Sequence, residues 1–254
     1  MKLAIISDVH VKNPGDAAEQ LLLSFLKNPY VKQCDAIFLL GDIFDLMIGP
    51  HSQYFARFQN YFEVLKDHLE NNKKIYYVEG NHDFHLKNLY KKFFDVHTTL
   101  NSSLFNMNSE FVIEDAGKKI HLSHGDDIEI ENFNYRVFKT VVTSTPLTLY
   151  ANHLMPYFLI TKVGEKSSEL SRKKNNKRYS TESDLAPVKE KFRKSAEIFY
   201  KNRPFDLIVC GHSHVKDHFK SDLGFEYVNN GYAQHTKTYI AIEDGNVSFK
   251  LITE

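Results

Sequence analysis

Asp8, His10, Asp42, Asn81, His82, His124, His212 and His214 carry hard-oxygen or imidazole donors, and all stand within a few residues after a short apolar run. The motifs that hold them read Asp8-Val9-His10, Gly41-Asp42-Ile43-Phe44-Asp45, Gly80-Asn81-His82-Asp83, His124-Gly125-Asp126 and Gly211-His212-Ser213-His214. Two divalent ions held about 3.5 to 4 Å apart can clamp a phosphoryl group and activate a water at neutral pH. Such a centre needs one ligand shared between the ions and a few more around each. Asp8 and His10, at i and i+2, are expected on one side of a strand and its continuation, where carboxylate and imidazole meet one ion. Asp42 follows a strand and a glycine, which leaves its two oxygens at the sheet edge, able to bridge. Asn81 offers a neutral amide oxygen, which adds coordination without adding charge, and His82 beside it reaches the substrate. His212 and His214 send one imidazole to each ion, and His124 completes the second.

The elements that must position these donors are legible as β-branched and apolar runs: Leu3 to Ser7, Ala36 to Leu40, Ile75 to Glu79, Ile120 to Ser123 and Leu207 to Cys210. Each predicts a short buried strand. Ligands at the carboxyl ends of strands converge on one crevice. Asp16 to Leu26 and Tyr54 to Leu69 carry apolar residues at helical period, so strands alternate with helices up to about residue 130 and the fold class is α/β. After Asp126 the rhythm changes. Helices are predicted over Phe133 to Val142, from Pro146 and from Pro156, followed by a cationic run from Lys166 to Ser183 that holds Arg172, Lys173, Lys174, Lys177 and Arg178. A further helix is predicted over Asp184 to Asn202, ahead of Pro204. The stretch 129–183 therefore reads as an insertion within a single domain spanning 1–254. In the tail, Phe225 to Val228, Thr238 to Ile242 and Val247 to Ile252 predict antiparallel strands, the last two joined around Asp244-Gly245.

Composition narrows the class further. A chain of 254 residues with 42% hydrophobic residues can bury a full core. Lys plus Arg equals Asp plus Glu at 32 each, so the charge balance does not ask for nucleic acid as a partner. Cys34 and Cys210 lie in apolar contexts that suit reduced core thiols of a cytoplasmic protein. The start of the chain reads as a strand rather than a signal peptide, and no apolar run approaches the ~20 residues that span a bilayer. Any membrane contact is expected to be peripheral.

These motifs, in this order, resemble those of the calcineurin-like metallophosphoesterases: Asp-x-His, Gly-Asp-x-x-Asp, Gly-Asn-His-Asp, His and Gly-His-x-His. The resemblance implies a four-layer αββα sandwich of helices over two packed mixed sheets. It implies that Asp8, His10, Asp42 and His214 hold one ion and that Asp42, Asn81, His124 and His212 hold the other. Two divalent ions, manganese as the family's usual choice, are the implied cofactors. His82 matches the family's histidine near the leaving group, oriented by Asp83 through its other ring nitrogen.

Within that superfamily the chain resembles the branch of UDP-2,3-diacylglucosamine pyrophosphohydrolases of lipid A biosynthesis. The resemblance rests on Leu40 to Leu46, Gly80 to Phe84, Ser123 to Asp126, the helical lid insertion that follows, and Asn230-Gly231-Tyr232. It implies cleavage of the pyrophosphate to UMP and 2,3-diacylglucosamine 1-phosphate, with an acylated nucleotide-sugar as partner, on the cytoplasmic face of the inner membrane. An apolar lid would bury acyl chains, with Lys166, Arg172 and Lys173 as candidate phosphate contacts alongside Asn81 and His82. Two positions depart from the branch. His82 stands where its well-known members have an arginine, and Asn132 where they often have an acidic residue. The alternatives are a soluble phosphodiesterase or phosphatase acting on nucleotides or small phosphoesters, and a non-catalytic scaffold of the same fold.

Overall fold

The computed structural model describes residues 1–129, 156–158, 160 and 182–252. The helices predicted over Phe133 to Val142 and from Pro146, the cationic run with Lys166, Arg172 and Lys173, and Asn132 lie outside the described residues.

The first strands are parallel because each returns through a helix. β1 (Lys2–Ile6) leads to α1 (Ala17–Lys27), whose first turn is capped by Asp16: its side chain accepts from the Glu19 N–H at 2.8 Å. A short α2 (Pro29–Gln33) then delivers β2 (Ala36–Leu40), which pairs parallel to β1 with Leu3 opposite Ala36. The helix predicted over Tyr54 to Leu69 is two helices, α3 (Gln53–Arg57) and α4 (Gln59–Glu70). They are broken at Phe58, whose φ of −114° leaves the helical range while its ring stays buried against Phe44. β4 (Lys74–Val78) and β6 (Phe105–Asn108) extend the parallel set, with α5 (Lys87–Val96) between them. Between β2 and β4, a two-residue strand β3 (Met47–Ile48) pairs parallel with β5 (Asp83–Phe84), which stitches the loop after β2 to the loop after β4.

The second sheet begins with the antiparallel pair β7 (Glu110–Asp115) and β8 (Lys118–Ser123). Past the insertion, α6 (Glu182–Asn202) starts two residues earlier than the sequence predicts and contains Pro187. β9 (Leu207–Cys210) pairs parallel to β8, and β10 (Asp217–Lys220) lies at the edge. β11 (Glu226–Asn229) corrects the prediction of an all-antiparallel tail, for it pairs parallel with β9 and antiparallel with β10. After α7 (Ala233–Thr236), β12 (Thr238–Glu243) and β13 (Asn246–Leu251) form the predicted hairpin on Asp244-Gly245. Both turn residues have positive φ, 49° and 73°, as a tight two-residue turn of this hand requires.

The six-stranded order is β13-β12-β1-β2-β4-β6 and the five-stranded order is β10-β11-β9-β8-β7. Alternation along β1 shows how they stack. Leu3 and Ile5 point to the interior shared with Ile120, Leu122, Leu207 and Val209 of the second sheet. Ala4 and Ile6 point the other way, onto Leu22, Phe25 and Leu65 of α1 and α4. The outer face of the second sheet, with Ile208, Cys210 and Tyr227, is covered by Phe192 and Ala196 of α6. The result is the expected αββα sandwich. Cys34 and Cys210 are free, buried thiols in different clusters, on opposite outer layers.

Candidate metal centre

β1, β2, β4, β8 and β9 all end on one side of the sandwich, and the five motifs follow them. The chain after β1 runs beside the chain after β2: the Asp8, His10 and Val11 N–H groups donate to the carbonyls of Gly41, Asp42 and Ile43 at 3.1, 3.0 and 2.9 Å. The chain after β9 joins them, with the Gly211 N–H on the His124 carbonyl at 2.8 Å and the His212 N–H on both oxygens of Asp8 at 3.1 Å.

Asp8, His10, Asp42, His212 and His214 all have positive φ, between 51° and 66°. Non-glycine residues adopt that conformation at a cost of order 1 to 3 kcal/mol each, and they persist where the surroundings over-determine them. Asp8 and His10 therefore face one point for a reason different from the expected pleat. β1 ends at Ile6, and left-handed residues beyond it aim the two side chains.

The donor atoms fall into two groups. Asp8, His10, Asp42 and His214 offer ligand atoms that all lie within 4.8 Å of one another. His10 Nε2 is 3.2 Å from His214 Nε2, and His214 Nε2 is 3.3 Å from Asp8 Oδ1. In the second group, Asn81 Oδ1 lies 3.1 Å from both His124 Nε2 and His212 Nδ1. Asp42 Oδ2 stands between the groups, 3.7 Å from His10 Nε2 and 3.6 Å from His124 Nε2. Adjacent ligands at right angles on a cation about 2.1 Å away are separated by about 3 Å, so these spacings fit two shared coordination spheres.

The chemistry of the donors fits as well. His124 donates from Nδ1 to the Leu40 carbonyl at 2.9 Å, which leaves Nε2 as the lone-pair nitrogen facing Asn81 and Asp42. Asp8 and Asp42 are no more than 1% exposed, and buried carboxylates in such numbers need compensating cations. Burial would lower His124, but the charges of Asp42, Asp8 and Asp126 outweigh it and push the imidazole up to about 9, so a cation bound beside these carboxylates would take the place of a proton on Nε2. At His10 burial wins over Asp42, pushing it down to about 3 and keeping the ring neutral, the form in which an imidazole can bind a metal. Asp42 is itself held below the usual carboxylate range, since His124, His82 and His10 overcome the effect of burial.

His82 sits at the rim of the first group, its ring edge-on to His10 with centroids 4.9 Å apart. Its Nδ1 donates to the Asp45 carbonyl at 3.0 Å, and its backbone N–H donates to Asp42 Oδ1 at 2.9 Å. Asp83 is the correction to the sequence reading. It does not hold the His82 ring. Buried at 0% exposure, its carboxylate accepts from the N–H groups of Asp42, Ile43, Phe44 and Gly80 and from the Tyr77 hydroxyl, at 2.7 to 3.2 Å. It positions backbone, locking the Asp42 loop onto the Gly80 loop. Of the histidines without a motif, His68 bonds the Leu26 carbonyl, and His51 packs on Tyr54 and Tyr157. His121 pairs with Glu110 under Phe199 and Phe205.

Sequence reasoning missed three contacts. Tyr232 lies with its ring stacked on His214 at 5.3 Å, Asp45 lends its carbonyl to His82, and Glu129 bonds His212 Nε2 at 3.2 Å. An acidic residue five places after His124 was the only signal for the last.

Glycine is required in the motifs by space. A Cβ on Gly80 would sit 2.2 Å from Asp42 Oδ1 and 2.4 Å from the Asp42 N, and one on Gly211 would sit 2.2 Å from Asp8 Oδ2. Gly80→Ala is expected to displace the Asp42 carboxylate, lowering stability by about 1 to 3 kcal/mol. Chemical denaturation and metal content after dialysis check this; a variant with wild-type values in both would contradict the packing argument.

The calcineurin-like phosphoesterase family model matches residues 1–216. The chain is 27% identical over 214 residues to a UDP-2,3-diacylglucosamine hydrolase of Psychromonas ingrahamii, covering 84% of this chain and 81% of that protein. It is 23% identical to the protein of the same name from an Enterobacter species, over 85% of this chain and 83% of that one. With the Aliivibrio fischeri protein of that name it shares 22% identity over 85% and 83% of the two chains.

Proposed function

The chain belongs to the calcineurin-like phosphoesterase family and is a metal-dependent phosphoesterase, and on that footing we propose that it hydrolyses the pyrophosphate of UDP-2,3-diacylglucosamine, releasing UMP and 2,3-diacylglucosamine 1-phosphate. Support for the substrate comes from the names of the relatives and from their coverage of four fifths or more of both chains. Support for the centre comes from one observation above the others: Asp42 Oδ2 lies 3.7 and 3.6 Å from the two imidazole groups it would join.

In this reading Asp8, His10, Asp42 and His214 hold one divalent ion, and Asp42, Asn81, His124 and His212 hold the other. Manganese suits a set of oxygen and imidazole donors without sulfur. Bound there, the ions supply Lewis acidity and a nucleophile drawn from water at neutral pH. The side chains do the rest. His82 carries its fixed proton at Nδ1, on the Asp45 carbonyl, so Nε2 is the nitrogen that can take a second proton. Burial opposes that second proton, but Asp42 and the Asp45 carbonyl raise the imidazole above its ordinary value. Protonated Nε2 then meets the charge that develops on the phosphoryl or leaving oxygen. Asn81, beside it, contributes its amide to the substrate as well as to the ion. His82→Ala is expected to keep its metal and to lose roughly 10²-fold or more in turnover. Turnover equal to wild type would remove His82 from the chemistry.

The insertion 129–183 serves as the lid in this proposal, with Lys166, Arg172 and Lys173 as phosphate contacts and the acyl chains beneath it. The protein is then cytoplasmic and works peripherally at the inner membrane, without nucleic acid. Among the described residues no helix is long and apolar enough to cross a membrane. His82 favours a second reading, because a histidine grips a pyrophosphate less firmly than the branch's arginine. That reading is a phosphodiesterase acting on nucleotides or small phosphoesters. Parallel manganese-dependent assays on the diacylated nucleotide-sugar and on a short water-soluble diester separate the two. A strong preference for the lipid supports the first, and equal turnover defeats it.

A further inference from the structure

Glu129 is 8% exposed and stands between two partners. Its Oε2 lies 3.2 Å from His212 Nε2, and its Oε1 accepts from the Lys191 ammonium of α6 at 2.6 Å. The other nitrogen of the same ring, Nδ1, is the one that faces Asn81 Oδ1 at 3.1 Å, within the second ligand group. The imidazole is therefore spanned from carboxylate to ligand position. Phe192, also on α6, closes over the ring with centroids 6.2 Å apart.

We infer that Glu129 is a positioning residue for the second ion site: it holds the proton of His212 on Nε2, leaves Nδ1 as the ligand nitrogen, and fixes the plane of the ring. A carboxylate on the far nitrogen of a ligating histidine also makes the ring a stronger donor. Lys191 balances the charge of the buried carboxylate, and so ties α6 to the metal ligand. Residues 130–181 leave the chain at Glu129 and return it to α6, so the two sides of the insertion's neck meet at His212.

The inference rests on the two-ion reading of the centre, and the experiment separates the two. Chelator-stripped wild type, Glu129→Ala and Glu129→Gln are titrated with Mn²⁺ alone by equilibrium dialysis, and the spin coupling of the loaded ions is followed by electron paramagnetic resonance. Wild type takes up two ions as a coupled pair. Glu129→Ala weakens one of the two sites by about 10- to 100-fold, leaves the other as it was, and at limiting manganese gives the spectrum of an isolated ion. Glu129→Gln keeps the shape of the side chain and one oxygen for the His212 N–H, so its affinity falls between the two. Both variants binding two ions with wild-type affinity would overturn the inference while leaving the centre intact. A wild type that binds fewer than two ions would bring down the reading of the centre itself, and Glu129's part in it.

Discussion

Asp42→Asn is expected to drop the protein from two bound ions to one or none after dialysis, and to lower turnover by about 10³-fold or more. The size of the effect follows from charge. Two divalent ions about 4 Å apart repel by roughly 16 kcal/mol at an effective dielectric constant of about 20, and one negative charge about 2 Å from each attracts each ion by a similar amount. Asp42 Oδ2 stands 3.7 Å from His10 Nε2 and 3.6 Å from His124 Nε2, one nitrogen in each group. Asparagine keeps the shape, and its oxygen can still accept from the His82 N–H that Asp42 Oδ1 holds at 2.9 Å. What it removes is the shared charge. A loss of several kcal/mol of stabilisation in the transition state is a thousandfold or more in rate. Elemental analysis, steady-state turnover and circular dichroism together test this. A folded variant with two ions and undiminished turnover would refute the bridging role.

Asp83→Asn is expected to be the most damaging substitution to the fold near the centre, costing about 3 kcal/mol or more. Four backbone N–H groups and the Tyr77 hydroxyl converge on this one carboxylate. An amide presents a single acceptor and turns an NH₂ group toward donors that have nowhere else to go. Unsatisfied buried groups cost about 1 to 3 kcal/mol each. For a chain of this size 3 kcal/mol lowers the melting temperature by roughly 6 to 12 °C. Activity should fall too, because the loops carrying Asp42 and Asn81 lose their common anchor. A thermal melt distinguishes this role from the ring-orienting one expected from sequence. If Asp83 acted only through His82, the variant would melt like wild type and its turnover would match that of His82→Ala.

The difference between the two roles of Asp83 shows where sequence reading stops. Adjacent to His82 in the motif, Asp83 looks like a partner for the ring. In the fold it opens β5 and pairs with Met47, so its side chain faces the Asp42 loop instead. The tail was misread for a similar reason: apolar alternation in β11 gives a strand but not its direction, and the neighbour that fixes it parallel is β9. β6, β7, β10 and α5 escaped notice because their runs are short or mixed with polar residues. By contrast, the turn Asp244-Gly245 was legible, since the preference is local to a few residues.

By itself the sequence determined the donor types, their order, and the buried strands they follow, because apolar period and side-chain chemistry are properties of single segments. Tertiary structure alone decided which atoms oppose one another. The left-handed backbone at Asp8 and His212, the hydrogen bond that joins them across 204 positions, and the carboxylate of Glu129 behind His212 exist only once separate segments are packed together.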